Sequence, residues 1–127
     1  MFRDGQWQGY QQVDFIGTID LAEPMRMKKI TAGFLHDPGS WIFLPGNVKI
    51  YTSSDGTNFK EAGEINSTQL QGIKDPFVKD FEWNLGPELD QPVRFVRIHA
   101  KNIGVCPAWH PGKGDKAWLF VDEIIME

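Results

Sequence analysis

The chain has 127 residues, of which 41% are hydrophobic and 24% charged, and its formal net charge is −4 at pH 7. This length suits one domain with one core, and the apolar content argues against disorder. The acidic balance lacks the Lys and Arg excess that neutralises phosphates, so neither nucleic acid nor an anionic membrane is expected as a partner. No apolar run approaches the ~18 residues of a membrane span. We therefore expect residues 1–127 to form a single globular domain.

Glycine and proline are spread along the whole chain and leave little room for long helices. Between them lie short segments rich in β-branched and aromatic residues, which predict seven strands. The predicted strands are 14–21, 27–35, 47–54, 59–65, 78–85, 93–102 and 118–126.

Two of these segments show the period of a half-buried strand. In 78–85, Phe81, Trp83 and Leu85 share one face, and polar residues occupy the other. Segment 93–102 alternates in a similar way. Turn signals such as 36–40 (HDPGS) and 53–58 (SSDGTN) separate the strands, and this arrangement is typical of an all-β antiparallel sandwich or barrel.

The irregular segment 104–124 invites enzymatic interpretations, but none has the expected pattern. Cys106 and His110 could pair as nucleophile and base, although Pro107 follows the cysteine where an activating helix would begin. A buried structural thiol is the simpler interpretation. Zinc binding by Cys106, His110 and His36 or His99 lacks the close paired spacing of zinc ligands.

Phosphate binding and acid catalysis lack their patterns as well. The run GKGD (112–115) does not have the spacing of a P-loop. Asp122 and Glu123 are adjacent in a predicted strand and would therefore point to opposite faces. That geometry would prevent them from acting as the carboxylate pair of a glycosidase.

Aromatic residues are unusually dense near the predicted turns. A sugar offers its C–H face to an aromatic ring and its hydroxyls to polar groups, so loops that mix these residue types suit carbohydrate. The alternative is that the same aromatic residues close the ends of the core. The candidate carbohydrate-binding residues are Trp7, Tyr10, His36, Trp41, Trp109 and His110.

Four segments resemble the discoidin or factor V/VIII type C domains, which include carbohydrate-binding modules of bacterial glycosidases. They are WQGYQQVDFIGTIDL (7–21), VKIYTSSDGTNF (48–59), VRFVRIHAKNIG (93–104) and WLFVDEIIME (118–127). With 34–45 and 106–120, the chain resembles the C-terminal domain of bacterial β-N-acetylhexosaminidases, or chitobiases. The resemblance covers essentially the whole chain and implies a discoidin-like jelly-roll β-sandwich.

The resemblance also implies a structural calcium ion and an origin in a larger enzyme. Glu123 in VDEI matches the position of a family calcium ligand. The early family loop that supplies the other ligands matches poorly, so we expect weak calcium binding or none. Because the chain begins close to its first tryptophan, we expect an excised C-terminal module without the first strand of the family.

We therefore expect a non-catalytic, carbohydrate-binding accessory domain of a periplasmic or extracellular bacterial glycosidase, most simply a β-N-acetylhexosaminidase. Its partners would be a glycan and the catalytic domain of the parent enzyme. The rival hypothesis is a structural domain that packs on the catalytic barrel without binding sugar. For the carbohydrate-binding hypothesis, the segments around Trp7 and Trp41 should converge with the loop 106–118 at one end of the sandwich, with at least one tryptophan exposed beside His110.

Overall fold

The computed structural model describes residues 2–4, 8–85 and 92–127. These residues form strands and one 3₁₀ helix, Pro38–Ser40. The strands are β1 (Phe2–Asp4), β2 (Gln8–Gln11), β3 (Phe15–Met25), β4 (Lys29–His36), β5 (Asn47–Ser53), β6 (Lys60–Asn66), β7 (Phe77–Asn84), β8 (Val93–Lys101) and β9 (Trp118–Met126).

The strands form two antiparallel sheets. The first has the order β1-β9-β4-β7, with β2 also pairing with β9, and the second has the order β3-β8-β5-β6. Because β4 occupies one edge of β9, the short strands β1 and β2 share its other edge, at opposite ends. The predicted all-β antiparallel sandwich is confirmed, and its sheet orders are consistent with a jelly roll.

All seven predicted strands are present, with ends shifted by up to four residues. Phe81, Trp83 and Leu85 are buried, as the alternation in 78–85 predicted. The main core lies between the two sheets, and its innermost side chains include Ile30, Phe34, Ile50, Ile98 and Leu119. β1 and β2 were not predicted, because each is at most four residues long and neither carries an apolar alternation.

The expectation that Asp122 and Glu123 point to opposite faces was wrong, because β9 contains a β-bulge at this place. Ala32 pairs with Ile124 and Phe34 with Val121, so Gly33 of β4 faces two residues of β9. Val121 and Ile124 are both buried in the core. Asp122 and Glu123 between them therefore share the outer face of the sheet.

A smaller apolar cluster lies beneath the loop between β8 and β9. It contains buried Phe43, Cys106 and Ala117, with half-buried Ile103 and Trp109 packed against them. Such satellite clusters commonly support long loops. No helix within the described residues is long and apolar enough to cross a membrane.

Candidate functional site

The segment around Trp41 and the loop 106–118 meet at one end of the sandwich, as predicted. The backbone N–H of Trp118 donates to the carbonyl of Trp41 at 2.8 Å, and the N–H of Phe43 donates to the carbonyl of Trp118 at 3.0 Å. The N–H of Gln12, just after β2, donates to the carbonyl of Ala117. The end of β2, the 3₁₀ segment and the start of β9 are thus joined. Trp7 lies outside the described residues.

Trp41 has an unusual backbone conformation. Its φ of 61° and ψ of 27° place it in the left-handed region, which is uncommon for a large side chain. The turn is held by mutual backbone hydrogen bonds between Asp37 and Ile42, and by the N–H of Trp41 donating to the carbonyl of Pro38. Such strain persists only where surrounding contacts enforce it, and it is frequent at ligand sites.

His110 is a buried support for this turn. Its Nε2 donates to the carbonyl of Pro38 at 2.7 Å, and its Nδ1 accepts from the N–H of Gly112 at 2.9 Å. Its ring packs edge-on against Trp41 and Phe43, with centroids 5.1 Å away in each case. Both ring nitrogens are therefore engaged, and neither is available to a sugar or to the Cys106 thiol.

Gly112 completes the support of Trp41. This glycine is buried, and a Cβ atom on it would overlap the Trp41 indole. The loop backbone can approach the ring so closely only because the residue has no side chain. Trp41 is thus fixed by His110 and Gly112 together, and the exposed part of its ring has a defined position.

Asn102, which sequence reasoning missed, anchors the neighbouring chain segments. It is buried, and its side-chain N–H₂ donates to the carbonyls of Tyr10 and Val13, while its Oδ1 accepts from the N–H of Gly104. An asparagine at the end of a strand resembles an ordinary turn residue in the sequence. Here it ties β2 to the loop that follows β8.

Three other candidate residues serve mainly as packing. His36 is fully buried, its Nε2 donates to the carbonyl of Ile73 at 2.7 Å, and its Nδ1 has no partner among the described residues. Tyr10 is half-buried and its ring lies 5.4 Å from that of Phe15, next to the main core. Trp109 is half-buried beside Phe43. The fully buried His36 is not placed to contact a sugar.

An open groove lies where the joined segments meet, with a volume of about 570 Å³. Trp41, whose surface is 36% exposed, and half-buried Trp118 supply its aromatic surface. Its polar lining consists of Gln11, Ser40, Asp115 and Lys116.

The polar side chains of the groove are available to a ligand. The side chains of Gln11, Ser40, Asp115 and Lys116 make no hydrogen bond or ion pair with any described residue. The groove thus presents an amide, a hydroxyl, a carboxylate and an ammonium group beside two indoles. Sequence reasoning did not include Trp118 among the candidate residues, because it begins the predicted strand 118–126 and an aromatic residue is common in a strand.

Carboxylates on the outer face of the first sheet form a separate feature. Burial, Glu123 and Asp80 raise the pKa of the Asp122 carboxyl, in that order of importance. Asp80 and Asp122 flank Gly33: a Cβ there would lie 3.0 Å from Asp80 Oδ1 and 3.5 Å from Asp122 Oδ2. Asp122 lies four residues beyond Trp118 on the outer face of β9, and neither it nor Asp80 lines the groove.

The described residues do not fit a calcium or zinc site. No three His, Cys, Asp or Glu side chains within them are grouped so as to hold a metal ion. Calcium needs six to eight oxygen ligands, and Glu123 with its neighbour supplies only carboxylate oxygens on an open sheet face. Burial and, to a lesser degree, Asp115 raise the pKa of the Cys106 thiol, which is the reverse of an activated nucleophile.

Comparison with models of known protein families gives no match to this chain, and comparison with curated proteins gives no significant one.

Proposed function

We propose that this chain is a non-catalytic carbohydrate-binding module that holds a glycan in the groove between Trp41 and Trp118. The observation that carries the proposal is the partly exposed Trp41 indole, fixed in a strained backbone conformation beside polar side chains that have no partner within the described part of the chain. A turn that served only to close the core would have no need to keep a tryptophan in the left-handed region.

The lining of the groove suits the mixed surface of a sugar. The C–H face of a pyranose can stack on an indole, and its hydroxyls can bond with nearby polar groups. Gln11 and Ser40 can both donate and accept hydrogen bonds, Asp115 can accept them and Lys116 can donate them. An open groove of this kind also admits a chain that continues beyond the bound unit.

The biological context follows from the family resemblance. We propose an accessory domain of a secreted or periplasmic bacterial glycoside hydrolase, in particular a β-N-acetylhexosaminidase. Binding of a glycan by a tethered module raises the effective concentration of substrate at the catalytic domain. The catalytic domain of the parent enzyme is then the second partner.

The distribution of exposed apolar residues favours sugar binding over a purely structural role. A domain that packs on a catalytic barrel should carry its exposed apolar side chains together on one side. Ile16 lies on the outer face of β3, whereas Val78 lies on the outer face of β7 in the other sheet. These two exposed apolar side chains therefore lie on opposite sides of the sandwich.

A glycan-array screen of the purified chain tests the proposal directly. Trp41→Ala and Trp118→Ala should each abolish or strongly weaken the signal on the array. Ile16→Ala is the matched control, because it removes an exposed apolar side chain from the other sheet and should leave binding unchanged. If the wild-type chain binds no glycan, or if both tryptophan variants bind as the wild type does, the proposal is wrong.

A further inference from the structure

The aromatic surface continues beyond the groove along the outer face of β9. Trp118 and Phe120 are two residues apart on this strand and therefore share a face. Their ring centroids are 5.9 Å apart, and both side chains are half-buried. Pairing with β2 places Gln11 opposite Trp118 and Gly9 opposite Phe120.

Gly9 allows the Phe120 ring to lie across the neighbouring strand. A Cβ on Gly9 would stand 2.5 Å from Cζ and 2.8 Å from Cε2 of Phe120. The ring thus occupies the space in which a side chain at position 9 would stand, an arrangement that recurs where aromatic residues cover glycines in sheets. A ring that covers the backbone of the next strand turns its opposite face towards solvent.

We propose that Phe120 is a second stacking position, so that the site binds an extended chain of at least two sugar units rather than a single terminal sugar. The inference rests on the proposed function and specifies its ligand class. Two residues along a strand span roughly 6–7 Å, which is on the scale of one sugar unit. Trp41, Trp118 and Phe120 then form one strip that leads from the groove onto the sheet.

The shape of the strip selects among linkages. The outer face of a sheet is an open surface, and the rings of β9 follow the direction of the strand. A β-1,4-linked chain stays extended and can keep contact with successive rings. An α-1,4-linked chain curves away after one unit, so it should gain little from Phe120.

Calorimetric titration with oligosaccharides of increasing length tests this inference. The probes are β-1,4-linked oligomers of N-acetylglucosamine and of glucose, each with one to four units, and maltotetraose as the curved counterpart. For the wild-type chain, we expect the affinity for one β-linked series to rise at least tenfold from the monomer to the trimer. Maltotetraose should bind no more tightly than its monomer.

Two variants change the strip in different ways. Phe120→Leu keeps an apolar cover over β2 but removes the aromatic face, and Gly9→Ala displaces the ring without altering Phe120. Both should lose the gain with chain length and keep the affinity for the monomer within about twofold of the wild type. Phe59→Leu is the control, because Phe59 lies against Arg97 on the other sheet. Melting temperatures verify that each variant is folded.

The outcomes separate the two proposals. If the monomer and the trimer bind equally well to the wild-type chain, or if folded Phe120→Leu and Gly9→Ala retain the gain, the inference about Phe120 is wrong and the groove remains a glycan site. If neither β-linked series nor maltotetraose binds to the wild-type chain, the inference about Phe120 is wrong, and the glycan array alone decides the proposed function.

Discussion

Replacing Trp41 by alanine and by glycine separates its backbone strain from its packing. The left-handed conformation costs a residue with a Cβ atom about 1–2 kcal/mol of conformational free energy, whereas glycine adopts it freely. At ordinary strand or helix positions, glycine is less stable than alanine by about 0.5–1 kcal/mol. With φ at 61°, Trp41 should show the opposite order. We expect the glycine variant to be more stable than the alanine variant by about 1 kcal/mol.

The packing contribution follows from the covered part of the ring. About two thirds of the Trp41 surface is covered, and a tryptophan side chain buries on the order of 200 Å² when fully enclosed. At about 25 cal/mol per Å², the covered part contributes roughly 3 kcal/mol, which is an upper value. The free energy of unfolding should therefore be about 3 kcal/mol lower for the alanine variant than for the wild type, and about 2 kcal/mol lower for the glycine variant.

Glycan binding should respond differently from stability. Both Trp41 variants lose the stacking surface, so binding should weaken by about 1–3 kcal/mol in each. Trp109 is the matched control, because it packs on Phe43 in the small cluster and does not line the groove. Trp109→Ala should reduce stability by roughly 3 kcal/mol and leave the affinity of the folded protein within about twofold of the wild type.

Urea denaturation followed by circular dichroism gives the free energies of unfolding, and calorimetric titration with a glycan identified on the array gives the affinities. If the glycine variant of Trp41 is less stable than the alanine variant, the argument from backbone strain fails. If folded Trp109→Ala loses glycan binding while Trp41→Ala keeps it, the site is in the wrong place.

Three further predictions concern the carboxylates, the thiol and calcium. The raised pKa of Asp122 means that the folded protein favours the protonated carboxyl. The resulting contribution to folding stability is complete below the unfolded pKa of 3.8 and is lost as the pH rises through the folded pKa. Asp122→Asn should therefore be more stable than the wild type at pH 7, by less than about 1 kcal/mol given its partial exposure, and the difference in melting temperature should vanish in acid. Cys106 is buried with a raised pKa, so the native protein should react slowly with iodoacetamide at pH 8 and the urea-unfolded protein quickly; rapid stoichiometric labelling of the native protein would contradict this. Calcium should bind weakly or not at all at Glu123, and a dissociation constant below the micromolar range in calorimetry would show that the site is complete after all.

The strands were predictable because their signal is local. An alternation such as Phe81, Trp83 and Leu85 reports which side of a strand is buried without any knowledge of its partners. Spaced glycines and prolines mark where each strand must stop. β2 gave no such signal, since it is held by pairing with β9 rather than by its own apolar residues.

The bulge at Asp122 and Glu123 shows where a local pattern fails. Strict alternation assigns adjacent residues to opposite faces, but the extra residue in β9 depends on its pairing with Gly33 of β4. That pairing joins segments about 90 positions apart in the chain. The proximity of Asp80 to Asp122, which raises the pKa of Asp122, was hidden for the same reason.

The loop between β8 and β9 shows that several of its candidate residues serve as packing within the loop. A loop of this length covers the end of the core and needs apolar packing of its own. Its Cys106 and Trp109 supply that packing, while His110 joins the loop to Pro38 and supports Trp41. The residues that made the loop look like a binding site are therefore largely its internal support.

The partly exposed indoles that line the groove lie instead at the borders of this loop. Trp41 belongs to the turn after β4, and Trp118 is the first residue of β9. Backbone hydrogen bonds join Trp118 to Trp41, 77 positions earlier in the chain, and to Phe43, and they bring the two indoles together. The sequence indicates that aromatic residues gather near turns. Which of them face solvent depends on how the small cluster is filled, because each aromatic residue that it takes in is removed from the surface. The buried support and the exposed strip are consequently two results of the same packing. A substitution that enlarges the cluster, although it lies outside the groove lining, should displace Trp41 and thereby weaken binding.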